Sequence, residues 1–190
     1  MSKLLLYCTK AKPYLKSHSE YEYNEKGAIP ETRKRVFTIY QNKCDYYNGK
    51  IVAECDFEVE KIRLTKGLYL DEDYITDTLR EKEILKYSCL SYCELANYLG
   101  GKNGYAIHIK NLNIFDNPRF IQDYSKNENP YNYIENAPSN MMYAYDVKSF
   151  NNFEKKILIS IKPQEMCRIA NKEQTVLVRK RVLKEMLKNE

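Results

Sequence analysis

Ile157-Leu158-Ile159-Ser160-Ile161-Lys162-Pro163 is the stretch from which the fold is read. Its apolar run is the length of a strand and lacks the spacing of a helix, so it reads as a strand buried on both faces. Lys162-Pro163 ends that strand, because proline carries no N–H for a ladder and holds its predecessor out of the helical region. Gln164 to Ala170 suits a helix, with Met166, Ile169 and Ala170 on its apolar side. Thr175-Val176-Leu177-Val178 is β-branched and reads as a second strand, running into Arg179-Lys180. A strand–helix–strand unit is therefore expected close to the C-terminus. After it, Val182, Leu183, Met186 and Leu187 fall on one stripe, which predicts a last amphipathic helix.

Working back, Leu4 to Thr9 predicts a buried strand, and Lys10-Ala11-Lys12-Pro13-Tyr14 a basic turn or extended segment. Asn48-Gly49 is a turn signal, and the alternation after it makes Ile51 to Ile62 the clearest strand in the chain. Ile75 to Leu85 is weakly helical. Ser91 with Glu94 forms a capping box ahead of Leu95, Ala96, Tyr98 and Leu99, and Gly100-Gly101 ends that helix. Gly104 to Ile109 predicts a strand continued by Leu112 to Phe115 and broken at Asp116-Asn117-Pro118. Met141 to Val147 predicts another. Residues 16–46 and 120–140 are dense in Tyr, Asn and charge and read as loop insertions, and 148–156 reads as a linker. Short strands interspersed with helices give an α+β class, in one domain over residues 1–190.

Hydrophobic content of 43% and charged content of 30% are those of a globular chain. No apolar run approaches the roughly 20 residues of a bilayer span. Lys3 to Cys8 is too short for a signal-peptide core, so a cytoplasmic location with no membrane partner is expected. There the six cysteines (Cys8, Cys44, Cys55, Cys89, Cys93 and Cys167) are expected as thiols. Cys89 and Cys93 are spaced to share a helix face, but a zinc site would need two more ligands and only His18 and His108 offer imidazoles. Neither a metal nor a cofactor is expected. His108 lies between isoleucines in a strand and reads as structural.

Charge is unevenly distributed. Residues 155–190 carry ten Lys/Arg against four Asp/Glu, whereas residues 1–154 carry 21 against 22. The chain's whole positive excess lies in its last fifth. Such a face attracts phosphate or an acidic protein surface, or else is a solvated helix end.

The strand, helix, turn and Arg-terminated strand of 157–180 resemble the opening of ASCH domains, members of the PUA superfamily of small β-barrel RNA-binding and RNA-modifying modules. In that family this unit normally comes first. Tyr7 to Tyr14, Asn48 to Glu54, Leu90 to Gly100, Gly104 to Pro118 and Ala137-Pro138 resemble the later segments of phage and bacterial ASCH proteins. The resemblance covers about 90 residues in shared order after one rotation. It implies a PUA/ASCH-like mixed β-barrel with flanking helices, circularly permuted, so that its first strand–helix–strand unit sits at the C-terminus. The unit either closes its own barrel in a monomer or completes a neighbour's in a swapped dimer.

The resemblance also implies a function. Some ASCH proteins resemble amidohydrolases acting on N4-acetylcytidine, through a Lys, a Thr and a distant Glu. In that frame the positions here hold Gln174, Leu177 and, near the Glu, Ser88, with Lys172 in place of the turn glycine. Gln is no base and Leu donates no hydrogen bond, so efficient catalysis is not expected, unless Lys172 or Glu173 takes over by a register shift. RNA or nucleotide binding is the expected function. Lys10, Lys12, Arg179, Lys180 and Arg181 would converge if the barrel forms, with Tyr14 available to stack on a base. Lys162, Gln174 and Thr175 complete the expected contact set. For Arg179 the competing role is an ion pair with Glu54 or another acidic strand residue. For most tyrosines it is half-buried packing. Two alternatives stand beside this reading. One is a phage-encoded interaction or inhibitor protein that engages a host protein through its Tyr-rich loops. The other is an amidohydrolase with a changed catalytic set.

Overall fold

The computed structural model describes residues 3–10, 48–63, 79–146 and 153–187. Among these described residues seven strands form one mixed sheet: β1 (Leu4–Cys8), β2 (Lys50–Ile62), β3 (Gly104–Arg119), β4 (Tyr124–Ser125), β5 (Met141–Asp146), β6 (Lys155–Ile161) and β7 (Val176–Arg179). Their order across the sheet is β4-β5-β6-β1-β2-β3-β7. Of these neighbouring pairs only β1 and β6 run parallel; the others are antiparallel. Three described helices accompany the sheet: α1 (Leu79–Ser88), α2 (Tyr92–Leu99) and α3 (Pro163–Ala170). The fold is α+β, as the sequence predicts.

The expected strand–helix–strand unit is β6–α3–β7, and its two strands take different places. β6 enters the middle of the sheet, between β5 and β1, because Ile157 to Ile161 can be buried on both faces. β7 pairs with β3 at the far edge, with Leu177 opposite Ile107. Both strands pair within the chain that carries them.

Over the described residues the sheet is not closed into a barrel; β4 and β7 are its edges. It is nevertheless strongly curled. β7 stands four strand positions from β6, about 19 Å across a flat sheet. Yet the Arg179 guanidinium donates through Nη2 to the Ser160 carbonyl of β6 at 3.2 Å. One side chain spans that gap only if the sheet folds back on itself. Alternation along the strands explains the curl. Leu4, Leu6, Ile107, Ile157, Ile159 and Leu177 point into one cluster, which α3 caps with Met166 and Ile169. Leu5, Tyr7 and Leu158 point the other way, onto Ile121, Tyr124 and Ile134. Ala106, Val176 and Val178 face outward from β3 and β7 and are covered by Ile84 of α1 and by Leu95 and Leu99 of α2.

Several elements depart from expectation. Asp116-Asn117-Pro118 does not end the strand: β3 continues to Arg119. Between the pairs Ala53–Ile114 and Ile51–Arg119 the register shifts, so residues 115–118 bulge out and Pro118 owes no ladder bond. The 120–140 segment is no free loop, since Ile121, Tyr124 and Ile134 are buried beneath the sheet. The expected linker 148–156 ends earlier, because Lys155 and Lys156 already belong to β6. The last stripe forms only a single 3-10 turn, Lys184–Leu187, which buries Met186 but leaves Leu187 exposed. The helix expected over 75–85 is described from Leu79 and runs on to Ser88, while residues 75–78 and 16–46 fall outside the described residues.

Two details bear on the relation of the chain ends. Lys3 O accepts the Ile157 N–H at 2.9 Å, and Lys155, two residues earlier, pairs with Glu185 at 2.8 Å. The start of β1 and the last described turn are thus both held against the start of β6. Lys172, where the turn between α3 and β7 would favour glycine, has φ of 63°. A residue with a Cβ is strained there. Lys172→Gly is therefore expected to stabilise the fold by about 0.5–1 kcal/mol, seen as a rise of a few degrees in melting temperature; an unchanged or lower value would contradict the assignment.

Candidate nucleic-acid interface

The parallel pairing of β1 and β6 brings two strand ends together. Thr9 N–H donates to Ile161 O at 2.9 Å, so Lys10 and Lys162, each the next residue, leave the sheet from one edge. β7 arrives at the same place from the other side of the curl. Arg179 reaches Ser160, and Asn140 holds Ser160 N–H at 2.9 Å while its Nδ2 donates to Arg181 O at 3.2 Å. Lys10, Lys162, Arg179 and Arg181 are thus gathered around Ser160 to Lys162. Lys180 points to the opposite side of β7, its ammonium 5.1 Å from the Tyr98 ring centroid.

These cations are not equivalent. Lys10, Lys162, Lys180 and Arg181 are exposed. The Arg179 side chain is only 11% exposed and lies 3.9 Å from Glu165. Its Nη1 donates to its neighbour's carbonyl, Val178 O, at 2.8 Å, and Nη2 to Ser160 O. Arg179 braces β7 against β6. Its acidic neighbour is Glu165 of α3 rather than Glu54 or another strand residue. Glu165 also accepts the Lys162 N–H at 3.2 Å, closing the start of α3.

The remaining expected contacts do not join this rim. Gln174 and Thr175 precede β7, whereas Arg179 ends it, roughly 13 Å away along an extended strand. Thr175 is held there by backbone bonds, its N–H to Tyr87 O at 3.0 Å and its carbonyl from Ile109 N–H at 2.8 Å. Gln174 is buried, its Nε2 donating to Val176 O at 3.2 Å. Lys12 and Tyr14 lie outside the described residues.

Sequence reasoning missed a second polar cluster on the opposite face of β6. The Lys156 side chain is 7% exposed and its ammonium lies 3.1 Å from Glu54, 3.3 Å from Glu154 and 3.9 Å from Asp146. Burial alone would lower the Lys156 pKa, but the hydrogen bond it donates to Glu54 and the surrounding carboxylates raise it overall. Asp146 also faces Arg119 at 3.7 Å, which donates to the Tyr124 hydroxyl at 3.0 Å and stacks 4.2 Å over Phe115. Burial pushes the Tyr124 phenol upward, against the pull of Arg119. The cluster joins β2, β3, β4, β5 and β6. The one signal in the sequence was a Lys pair directly before an apolar strand.

Among the described thiols, Cys8, Cys55 and Cys167 are buried, and burial pushes Cys55 up to about 12, with Asp56 adding to it. Cys89 sits in a left-handed turn before α2 while Cys93 is inside it, so the two do not share a helix face. No group of three metal-ligating side chains occurs among the described residues. His108 Nε2 lies 3.1 Å from Glu60 across the β2–β3 ladder. None of the described helices is long and apolar enough to cross a membrane.

Comparisons of the chain with protein-family models, curated proteins and solved structures find no match.

Proposed function

We propose that this chain is a binding module for single-stranded RNA or nucleotides, of the PUA/ASCH type in permuted order, which uses the rim at the ends of β1, β6 and β7. The observation that carries the reading is the convergence of Lys10, Lys162 and Arg181, with Lys180 adjoining them. These are exposed cations from separate parts of the sequence around one curled edge. Exposed cations held on a rigid strand framework are suited to phosphate oxygens, and they bind without the desolvation cost of a buried charge. Catalysis is not part of the proposal. In the hydrolase frame Gln174 is a buried amide, Leu177 is core, and the Ser88 hydroxyl is turned back to Leu85 O at 3.3 Å.

Fluorescence anisotropy with a labelled single-stranded RNA pool at low salt tests the reading. The protein is expected to bind, and Lys10→Gln with Lys162→Gln to weaken binding about tenfold, from two lost phosphate contacts. Absence of binding even at low salt removes the proposal.

A second reading, a partner-binding or inhibitor protein, is favoured by one observation. Phe120, Tyr131 and Tyr133 are 59%, 78% and 45% exposed within one segment. Exposed rings so close in sequence suit a protein partner. If the RNA test fails, replacing Phe120 and Tyr131 by Ser is the change that should abolish such a contact.

A further inference from the structure

We infer that Tyr98 is a stacking platform for an unpaired nucleobase, placed beside the phosphate-binding end of β7. The inference rests on the rim reading above and adds to it the part of the ligand that is read there. Tyr98 lies near the end of α2 and is 41% exposed. Its helix is held in place. Leu95 and Leu99, on the adjacent face of the helix, anchor it in the core formed with Val176 and Val178 of β7. The helix is closed at one end by the reciprocal Ser91–Glu94 box and at the other by Gly100 in the left-handed conformation. The ring is thus accessible on a helix that is held still, so a base landing on it orders little beyond the side chain itself.

Its neighbours supply the second half of the argument. The Lys180 ammonium stands 5.1 Å from the ring centroid, and Arg181, the next residue, is tied through its carbonyl to Asn140 at the rim. A cation against an aromatic face and a second cation one residue on match the two chemical halves of a nucleotide, an anionic phosphate and a flat π surface. In a duplex the base faces are stacked within the helix, so this arrangement selects single strands or loops. A similar pairing occurs where Lys86 stands 5.3 Å from the ring of Tyr87, itself 42% exposed. Tyr87, however, lies at the Thr175 end of β7, away from the rim cations. It serves as an internal control, with like composition and exposure but no gathered phosphate contacts.

The sequence contains no tryptophan, so Tyr98→Trp installs a single indole reporter at the platform. A 12-nucleotide single-stranded RNA is expected to quench its emission, and an abasic phosphodiester chain of the same length to leave it unchanged. Tyr98→Ala should weaken binding of the RNA by about tenfold, with Tyr98→Phe and Tyr87→Ala close to the original protein. If the original protein binds RNA and Tyr98→Ala binds it equally well, the rim reading stands and the platform is wrong. Equal losses in Tyr87→Ala and Tyr98→Ala would also overturn it, because the effect would not belong to the rim. If the original protein binds neither RNA nor the abasic chain at low salt, the rim reading fails and the platform falls with it.

Discussion

Deleting residues 153–190 is expected to leave a chain without a cooperative unfolding transition. The segment is short and C-terminal, but it is not peripheral. β6 stands between β5 and β1, so its removal detaches β4 and β5 from the rest of the sheet. It also takes away seven of the fifteen buried residues of the largest core cluster: Ile157, Ile159, Ile161, Met166, Ile169, Leu177 and Met186. Each such loss costs about 2–5 kcal/mol when made singly by truncation to Ala, against a total stability of about 5–15 kcal/mol for a domain. The summed loss exceeds that total. Urea titration followed by circular dichroism reads the outcome. A sigmoidal transition in the truncated chain, with a midpoint near that of the full chain, would show that the unit is an appendage. Recovery of the transition on adding a peptide of residues 153–190 would support the account further.

Among the polar side chains the largest effect is expected at Lys156. Lys156→Ala should cost about 3 kcal/mol, because removing the central cation leaves Glu54, Glu154 and Asp146 with only Arg119, 3.7 Å from Asp146, in partial compensation. Glu54 and Asp146 are 24% and 19% exposed, so water relieves part of the penalty and places the value at the low end for such changes. The coupling should appear in a double-mutant cycle. Lys156→Met combined with Glu54→Gln should be less destabilising than the sum of the single changes by about 1 kcal/mol or more. The pH dependence has a fixed sign. The Lys156 pKa is raised in the fold, so its contribution is present in full below the unfolded value of 10.5 and is lost as pH rises through the raised one. Alkaline titration should therefore destabilise the parent protein more steeply than Lys156→Met, which still loses the contribution of the buried Cys55 and Tyr124 held in their neutral forms. A loss below about 1 kcal/mol for Lys156→Ala would mean that the cluster is solvated and the account of this face is wrong.

Much of the framework was legible in the sequence, because each legible element carried a local physical signal. The helix over Gln164 to Ala170 and the strands on either side were announced by Pro163 and by their apolar runs. The Ser91–Glu94 box and Gly100 marked α2 almost to the residue. The misreadings fall where tertiary pairing overrides local preference. Pro118 normally ends a strand, and only the offset between β2 and β3 lets it stay in one. Lys155 and Lys156 look like linker until Glu54 and Asp146, one distant in sequence and one on the neighbouring strand, arrive to receive a charge. The terminal stripe of Val182 to Leu187 has helical spacing, but Met186 is the residue drawn into the core and one turn suffices.

The site divides in the same way. Convergence of Lys10 with Arg179 and Arg181 depends on the order of the strands, which no local signal in the sequence sets. The roles within the group could not be read from it. Arg179 was the natural choice for the ligand-binding cation, yet it is consumed by backbone carbonyls. Arg179→Ala is thus expected to lower stability as well as binding, which makes it a poor probe of the interface. Tyr98 was legible as a helix residue but its exposure beside Lys180 was not, since that depends on how α2 sits against β7.

The central claim is that exposed cations on the rim hold phosphates, and the salt dependence of single-stranded RNA affinity tests it most directly. The expected result is a linear fall of log K with log salt, with a slope smaller in magnitude by about 2 when Lys10, Lys162 and Arg181 are all replaced by Gln. An unchanged slope and affinity in the triple variant, or a parent protein that binds no RNA at low salt, would contradict it.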